Sequence, residues 1–365
     1  MKIVADPNIP YIREAFAEFG EIVLVPGRQL TNAHVRDADL LLVRSVTAVN
    51  AELLAGSRVR FVATATIGFD HVDVAHLAAR GIGFATAAGS NANSVAEYII
   101  AAILELAHRQ NFRLRDKTLG VVGVGNVGAK VVRLARALGL RVLPNDPPRQ
   151  RAEKLPDFVS LDRLVAKADI LTFHVPLSKT GPDTTFRLLE PHRGIVLNSS
   201  RGAVLDNRQL LAAKLDALVL DVWENEPNIS PELLAKTNLG TPHIAGYSFD
   251  GKVNGTRLIY EAACRRFGLP ATWQPVLPAP PVPRLEIVVT SGEDDEAVLR
   301  RVIRQVYDIT GDDARLRADY RQFDKLRAEY PVRREFFNTE LELQNASPAL
   351  RDKLTALGFR FTGAR

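Results

Sequence analysis

Three residues far apart in the chain, Arg201, Glu226 and His243, have the side chains needed to oxidise an alcohol. Each stands just past an apolar run. Gly194–Ser200 leads into Arg201-Gly202, Ala217–Trp223 into Glu224-Asn225-Glu226-Pro227, and Leu239-Gly240 into Thr241-Pro242-His243. An arginine can hold a carboxylate bidentately and polarise a neighbouring carbonyl. A histidine can take the proton from a hydroxyl while the carbon-bound hydrogen leaves as hydride. A carboxylate against an imidazole fixes its tautomer and favours its charged form. Singly, each residue has a plainer reading: a loop histidine after proline, a turn carboxylate, an arginine bound to a carbonyl. If the three runs are parallel strands, however, all three side chains emerge on one carboxyl edge, where sheets of this kind bind ligands.

That chemistry needs a hydride acceptor, and Leu119–Lys130, LGVVGVGNVGAK, reads as a place to hold one. An apolar run meets Gly123, Gly125 and Gly128 in the spacing G-x-G-x-x-G, and a helical period follows through Val131, Val132, Leu134, Ala135 and Leu138. Gly123 permits a tight turn, Gly125 lets the backbone approach a pyrophosphate, and Gly128 lets helix and strand pack closely. The helix N-terminus offers unpaired N–H groups to phosphates. A second short strand, Leu140–Leu143, precedes Asp146, which lies 18 residues past Gly128. That is the offset at which an acidic residue takes the ribose hydroxyls. An aspartate there repels a 2′-phosphate and selects NAD over NADP; Arg149 nearby is the one contrary sign.

The chain has 365 residues, too many for one core, and 46% of them are hydrophobic, so two or three globular domains are expected. The net charge of +5 is spread among 42 acidic residues. This is a solvated surface that attracts anionic metabolites rather than a nucleic-acid footprint. One cysteine, Cys264, excludes a disulfide framework and fits a reducing compartment. The start, MKIVADP, meets Asp6 and does not read as a signal peptide. The most apolar segment, 95–107, contains Glu97 and Glu105 and is too short to span a bilayer. A cytoplasmic protein without membrane or nucleic-acid partners is expected.

In chain order, strands are expected at Lys2–Ala5, Ile22–Val25, Leu40–Val43 and Phe61–Thr64, with helices at about 10–19, 50–55 and 73–80. They form a first α/β unit over 1–93, to which about 255–280 returns. Two of its strand ends are polar, at Arg44–Thr47 and Thr64–Gly68. Ser94-x-x-Glu97 reads as a capping box opening a long helix to Arg109. The nucleotide unit then spans 94–254, with strands at Asp169–Phe173, Gly194–Asn198 and Ala217–Asp221, and a helix near 252–267 returns after it. Residues 275–283, PVLPAPPVP, hold five prolines and form a stiff extended linker. Beyond it, 284–365 reads as a small α+β module with strands at Arg284–Thr290, Thr339–Leu343 and Phe359–Phe361. Helices are expected at Glu293–Tyr307 and Pro348–Leu357. The fold class is therefore α/β: two Rossmann-like doubly wound domains plus a small C-terminal α+β domain.

The runs Gly123–Gly128, Asn198–Ala203, Leu220–Pro227 and Thr241–Gly246 resemble those of the D-isomer-specific 2-hydroxyacid dehydrogenases. Val43–Thr47, Asn145–Pro148, His243–Tyr247 and the module after the linker are most similar to the members that oxidise 4-phospho-D-erythronate in pyridoxal phosphate (vitamin B6) synthesis. The resemblance spans nearly the whole chain. It implies NAD-dependent oxidation at C2 to 3-hydroxy-2-oxo-4-phosphooxybutanoate, with His243 as acid/base and Arg201 and Glu226 beside it. It further implies that Ser45, Thr66 and Tyr247 contact substrate. Asn126, Val127, Asp146, Val175, Ser199, Ser200, Arg201, Asp221 and Gly246 would line the cofactor, and 284–365 would join two copies into a homodimer.

The chain departs from the family in its short segments 186–193 and 201–221. Val175 also offers only a backbone group where the family can offer a threonine hydroxyl. Two rivals share the sequence features. Another 2-hydroxyacid dehydrogenase, such as one acting on 3-phosphoglycerate, needs the same three residues, and only the pocket near Arg44, Ser45 and Tyr247 separates it. A non-catalytic NAD-sensing interaction protein would need the glycine loop but not Arg201, Glu226 and His243 together.

Overall fold

Runs of four or five residues dominated by valine, leucine and isoleucine form the strands, and most are buried on both faces, as parallel sheets require. The structure, a computed structural model, describes residues 1–362 apart from 155, 182, 186 and 188–191. Much of the short segment 186–193 and the last three residues of 284–365 thus lie outside the described residues. Two compact units are formed, 1–91 with 249–278 and 92–248 with 279–365.

In the first unit, β1 (Lys2–Ala5), β2 (Glu21–Leu24), β3 (Leu40–Val43), β4 (Phe61–Thr64) and β5 (Gly83–Thr86) form a parallel sheet in the order β2-β1-β3-β4-β5. The helix Phe249–Phe267 returns to it, burying Ile259, Tyr260 and Ala263 with Ile3, Phe16 and Phe61. In the second unit, β6 (Thr118–Val122), β7 (Arg141–Asn145), β8 (Ile170–Phe173), β9 (Ile195–Asn198), β10 (Ala217–Leu220) and β11 (Leu239–Gly240) form a parallel sheet ordered β11-β10-β9-β8-β6-β7. The chain steps from β6 outward to β7, then crosses to β8 on the other side. The carboxyl ends of β6 and β8 therefore flank a topological switch point, the crevice in which such sheets take their ligands.

Residues 275–283 form neither helix nor strand, since proline lacks the N–H that either ladder needs. Beyond them, β12 (Arg284–Val288), β13 (Glu340–Gln344) and β14 (Arg360–Phe361) make a third, parallel sheet. Helix Asp295–Val306 buries Val298, Leu299, Val302 and Ile303 in the same core as Ile99, Ile103 and Leu106 of the long helix Ala92–Gln110. That long helix is apolar on every side, and its two glutamates are drawn into the contact. Glu105, only 4% exposed, accepts from Arg109 at 2.9 Å and from Arg300 of helix Asp295–Val306 at 2.8 Å. Among the described residues no helix is long and apolar enough to cross a membrane.

Several local expectations are overturned. The helix at 10–19 is two short pieces, Ile12–Ala15 and a 3₁₀ turn Ala17–Phe19. The tighter turn stacks residues three apart, bringing the buried rings of Phe16 and Phe19 to 5.0 Å. Residues 50–55 are turns rather than helix, because the Asn32 side chain takes the carbonyls of Leu53 and Ala55. Ser94 and Glu97 are no capping box: the helix begins at Ala92, and both side chains are buried and bonded to other segments. Ser94 Oγ donates to the Ala245 carbonyl and Glu97 accepts from the Phe336 N–H. β5 and the helices Ile309–Ala318 and Phe323–Ala328 were not foreseen. The two helices carry no sustained apolar stripe, and Asp308 caps the first of them at the Thr310 N–H.

The buried Glu105 gives a test of how the C-terminal sheet is held. Burial pushes this carboxyl up, but Arg300 and Arg109 outweigh it and keep it below the usual range. Glu105→Ala should lower stability by about 2–4 kcal/mol in chemical denaturation, because it strands Arg300. Arg300→Met with Glu105→Met should recover much of the loss; equal loss in the single and double variants would sink this account.

Candidate functional site

β9, β10 and β11 are parallel neighbours, so the loops that follow them leave one carboxyl edge. Arg201 comes three residues past β9, Glu226 six past β10 and His243 three past β11. His243 Nδ1 lies 2.7 Å from Glu226 Oε2. Glu226 Oε1 accepts from the Trp223 N–H at 2.8 Å, which anchors the carboxylate to its own turn. With Nδ1 engaged, the other ring nitrogen, Nε2, remains for proton exchange, and the ring is about one-third exposed. The Glu226–Pro227 peptide is cis.

A buried carboxylate shapes the histidine loop. Asp221, 1% exposed, accepts from Thr241 Oγ1 at 2.7 Å, the Ile244 N–H at 2.7 Å and the Ala245 N–H at 3.0 Å. Its own carbonyl accepts from the His243 N–H at 2.7 Å. These bonds hold His243 at φ 56, in the left-handed region that a residue with a Cβ rarely adopts. Thr241 is held in turn by Tyr98 of the long helix, oxygen to oxygen at 2.8 Å, and its carbonyl accepts from Trp223 Nε1 at 2.9 Å. Arg201 is placed by the turn before it. Asn198 accepts from the Ser200 N–H and hydroxyl and donates to the Arg201 carbonyl, while Arg201 Nη1 donates to the Ser200 carbonyl. Gly202 fits because a Cβ there would stand 2.1 Å from the Trp223 carbonyl. That close approach seats the arginine loop against the strand end that leads to Glu226.

Of the residues expected to line the cofactor, Gly123–Gly128 and Val175 follow β6 and β8 and so lie at the switch point. Gly123 has φ +83, and a Cβ on it would meet the His174 carbonyl at 2.6 Å, so the loop lies flat against His174 and Val175. A Cβ on Gly128 would stand 1.9 Å from the Gly123 carbonyl, whereas one on Gly125 would meet only open space. The helix Asn126–Ala137 has no side-chain cap, leaving the N–H groups of its first turn, those of Asn126 and Val127 among them, for a ligand. Asp146 follows β7 and accepts from the Val124 N–H at 2.9 Å and the Arg149 N–H at 3.1 Å; its carboxylate has further lone pairs for ribose hydroxyls. Arg149 pairs with Glu153 and donates to the Val124 carbonyl, each at 2.6 Å, so it is not held out for a 2′-phosphate. Ser199 Oγ is buried with no hydrogen-bond partner among the described residues. An open glycine face, an uncapped helix and an orphaned hydroxyl all suit NAD.

Of the remaining candidates, Gly246 and Tyr247 follow directly on the Asp221-held turn. Both are half-buried, and the Tyr247 ring stands 6.0 Å from that of Tyr330. Asp221, expected at the cofactor, has its carboxylate taken up by the histidine loop. Ser45 and Thr66 lie in the first unit, past the carboxyl ends of the paired strands β3 and β4. Ser45 is exposed, and Thr66 Oγ1 lies 2.6 Å from Thr64 Oγ1 and donates to the Gly68 carbonyl. Among the described residues no cluster could hold a metal ion. Asn198, Thr241, Trp223 and Tyr98 were missed as positioning residues. Their signal, polar side chains within or beside buried strands, carries no spacing rule.

Comparison with known proteins places these features. Residues 85–245 match the family model described as D-isomer specific 2-hydroxyacid dehydrogenase, NAD binding domain, and 276–358 match a domain of unknown function, DUF3410. The erythronate-4-phosphate dehydrogenase of Edwardsiella ictaluri is 48% identical over 98% of this chain and 99% of its own. That of Proteus mirabilis is 45% identical over 99% and 100%. Among solved structures, a D-lactate dehydrogenase from Aquifex aeolicus complexed with NAD and lactic acid superposes with a TM-score of 0.59. It is 23% identical and covers 73% of this chain and 96% of that one. An NAD-bound 3-phosphoglycerate dehydrogenase from Entamoeba histolytica gives 0.62 at 24% identity, over 73% and 95%. At these identities the structures establish the fold alone.

The imidazole–carboxylate pair predicts a pH signature. Burial pushes the Glu226 carboxyl up, but the His243 charge and hydrogen bond, the Trp223 N–H and the Arg327 charge hold it below the ordinary value of 4.5. A carboxyl lowered on folding stabilises the protein fully above its unfolded value, and the stabilisation is lost as pH falls through the folded value. The stability difference between the wild type and Glu226→Gln, from denaturant curves, should therefore be present in full just above 4.5 and shrink as pH falls below it. A difference that instead grew on acidification would contradict the pairing.

Proposed function

This chain belongs to the D-isomer-specific 2-hydroxyacid dehydrogenase family, and on that premise we propose that it oxidises 4-phospho-D-erythronate at C2 with NAD, yielding 3-hydroxy-2-oxo-4-phosphooxybutanoate in vitamin B6 synthesis. The names of its full-length relatives support the substrate. The observation that carries the reaction is the 2.7 Å contact between His243 Nδ1 and Glu226. A sensor of NAD has no use for an imidazole oriented by a carboxylate on the carboxyl edge of the nucleotide sheet.

The residues divide the work. Arg201 holds the substrate carboxylate and draws electron density from C2. His243 Nε2 takes the C2 hydroxyl proton, and Glu226 stabilises the imidazolium that results. Gly123–Gly128, the first turn of Asn126–Ala137, Asp146, Val175, Ser199, Ser200 and Gly246 hold the cofactor. NAD bound there accepts the hydride from C2. Tyr247, Ser45 and Thr66 are assigned to the substrate. The chain acts in the cytoplasm.

We further infer that 284–365 joins two copies, supported by the exposed Val288, Val332 and Phe337 on that segment. Light scattering of the intact protein should give twice the mass of one chain; a monomer at assay concentration would refute the dimer.

For the reaction itself, a panel of D-2-hydroxy acids followed by NADH absorbance should give the highest kcat/KM for 4-phospho-D-erythronate. His243→Ala should cost about 10²- to 10⁴-fold in kcat while NAD affinity, read by titration, is kept. Equal or better turnover of 3-phosphoglycerate would defeat the substrate assignment. A His243→Ala variant with near wild-type kcat would defeat the mechanism.

A further inference from the structure

Arg327 lies on the short helix Phe323–Ala328, 84 positions along the chain from His243, yet it faces the same site. Its guanidinium stands 5.5 Å from the centre of the Tyr247 ring and 5.9 Å from that of Phe323. The side chain is mostly shielded, at 22% exposure, and among the described residues its ion-pair partner is Asp324 on its own helix, at a long 3.8 Å. It donates no hydrogen bond to any described residue, and its Nε is fully buried without an acceptor. Its positive charge acts on Glu226, although the two form no ion pair among the described residues.

Arg333, six residues on, is tied into the scaffold through one nitrogen. Its Nη2 donates to the carbonyls of Ser94 and Ala245, and its guanidinium lies 4.1 Å from the centre of the Tyr307 ring. Its Nε and Nη1 are buried without partners among the described residues. Arg327 differs in having no such hydrogen bond: among the described residues its side chain meets two ring faces and the distant Asp324. A guanidinium carries five N–H donors and stays charged at any working pH. Only the Nε donor is kept from water without an acceptor; the rest of the partly exposed guanidinium offers a planar fork that a phosphate matches with two parallel hydrogen bonds. The substrate read above has two anionic groups. Arg201 is assigned the carboxylate at the reacting end, and the phosphate needs a cation of its own.

We propose that Arg327, oriented on the ring of Tyr247, receives the substrate's phosphate and so selects phosphorylated 2-hydroxy acids; this rests on the functional reading above. Arg327 is then a specificity-determining residue that the C-terminal segment contributes to the site. The segment completes the substrate pocket as well as any contact between copies.

The test compares the NAD-loaded wild type with Arg327→Gln and Arg327→Lys. In Arg327→Gln, KM for 4-phospho-D-erythronate should rise roughly 10- to 100-fold, as expected for lost charge-assisted hydrogen bonds, with the loss in KM rather than kcat. Arg327→Lys should recover part of it, since charge returns without the fork. Calorimetric titration with inorganic phosphate gives a readout independent of turnover, and Arg327→Gln should weaken it by a comparable factor. A loss confined to kcat with a displaced pH profile would overturn the proposal and assign Arg327 to the Glu226–His243 pair. A weakened NAD affinity would overturn it by assigning Arg327 to the pyrophosphate, and unchanged phosphate binding would overturn it outright. If the wild type fails to oxidise 4-phospho-D-erythronate but the phosphate titration distinguishes the variants as expected, the functional reading falls and the phosphate site stands.

Discussion

The carboxylate of Asp221 is removed from water and surrounded by donors from a single turn, and the geometry of His243 depends on it. Burial pushes this carboxyl up, against the His243 charge and the hydrogen bonds from Thr241, Ile244 and Ala245, which favour the ionised form. Charge-assisted bonds of this kind are worth roughly 1.5–3 kcal/mol each. Holding a non-glycine residue in the left-handed region costs on the order of 1–3 kcal/mol. The bonds outweigh the strain, so the turn at His243 is stable although its backbone is unfavourable. Glu226 then finds the imidazole at hydrogen-bond distance without either side chain having to search.

The site is supported from behind by residues that never meet substrate. Tyr98 on the long helix holds Thr241, Ser94 holds the Ala245 carbonyl, and Arg333 binds both Ser94 and that carbonyl. Glu335 accepts from the Ser248 hydroxyl. The C-terminal segment is therefore built into the scaffold of the histidine loop. Its helix Asp295–Val306 shares a core with the long helix, and the Glu105–Arg300 contact crosses the same seam. A change in that segment would reach the histidine through the packing and hydrogen bonds of 94–98 and 245–248.

Much of this was legible beforehand, for identifiable reasons. The strands of the nucleotide sheet were found because a strand buried on both faces must be continuously apolar. The glycine loop was found because each glycine answers a separate steric need: Gly123 has a positive φ, Gly128 lies against the Gly123 carbonyl and Gly125 faces open space. Arg201, Glu226 and His243 could be grouped because parallel topology sends the ends of neighbouring strands to one edge. The capping box at Ser94 and Glu97 failed for the opposite reason. Its pattern is local, and the same two side chains bond more favourably to Ala245 and Phe336, segments about 150 and 240 residues away.

The amino-acid order by itself determined the class of fold and the coenzyme, because these follow from periodicity and glycine spacing, and it singled out Arg201, Glu226 and His243 by their side-chain chemistry. Tertiary structure alone decided how those groups are held. Asp221 became a latch, Gly202 a point of contact between loops, Arg149 a partner of Glu153, and Arg327 a neighbour of Tyr247. Each of these depends on which distant atom lies within about 3–6 Å, and a linear pattern does not encode such distances until the sheets and helices have packed.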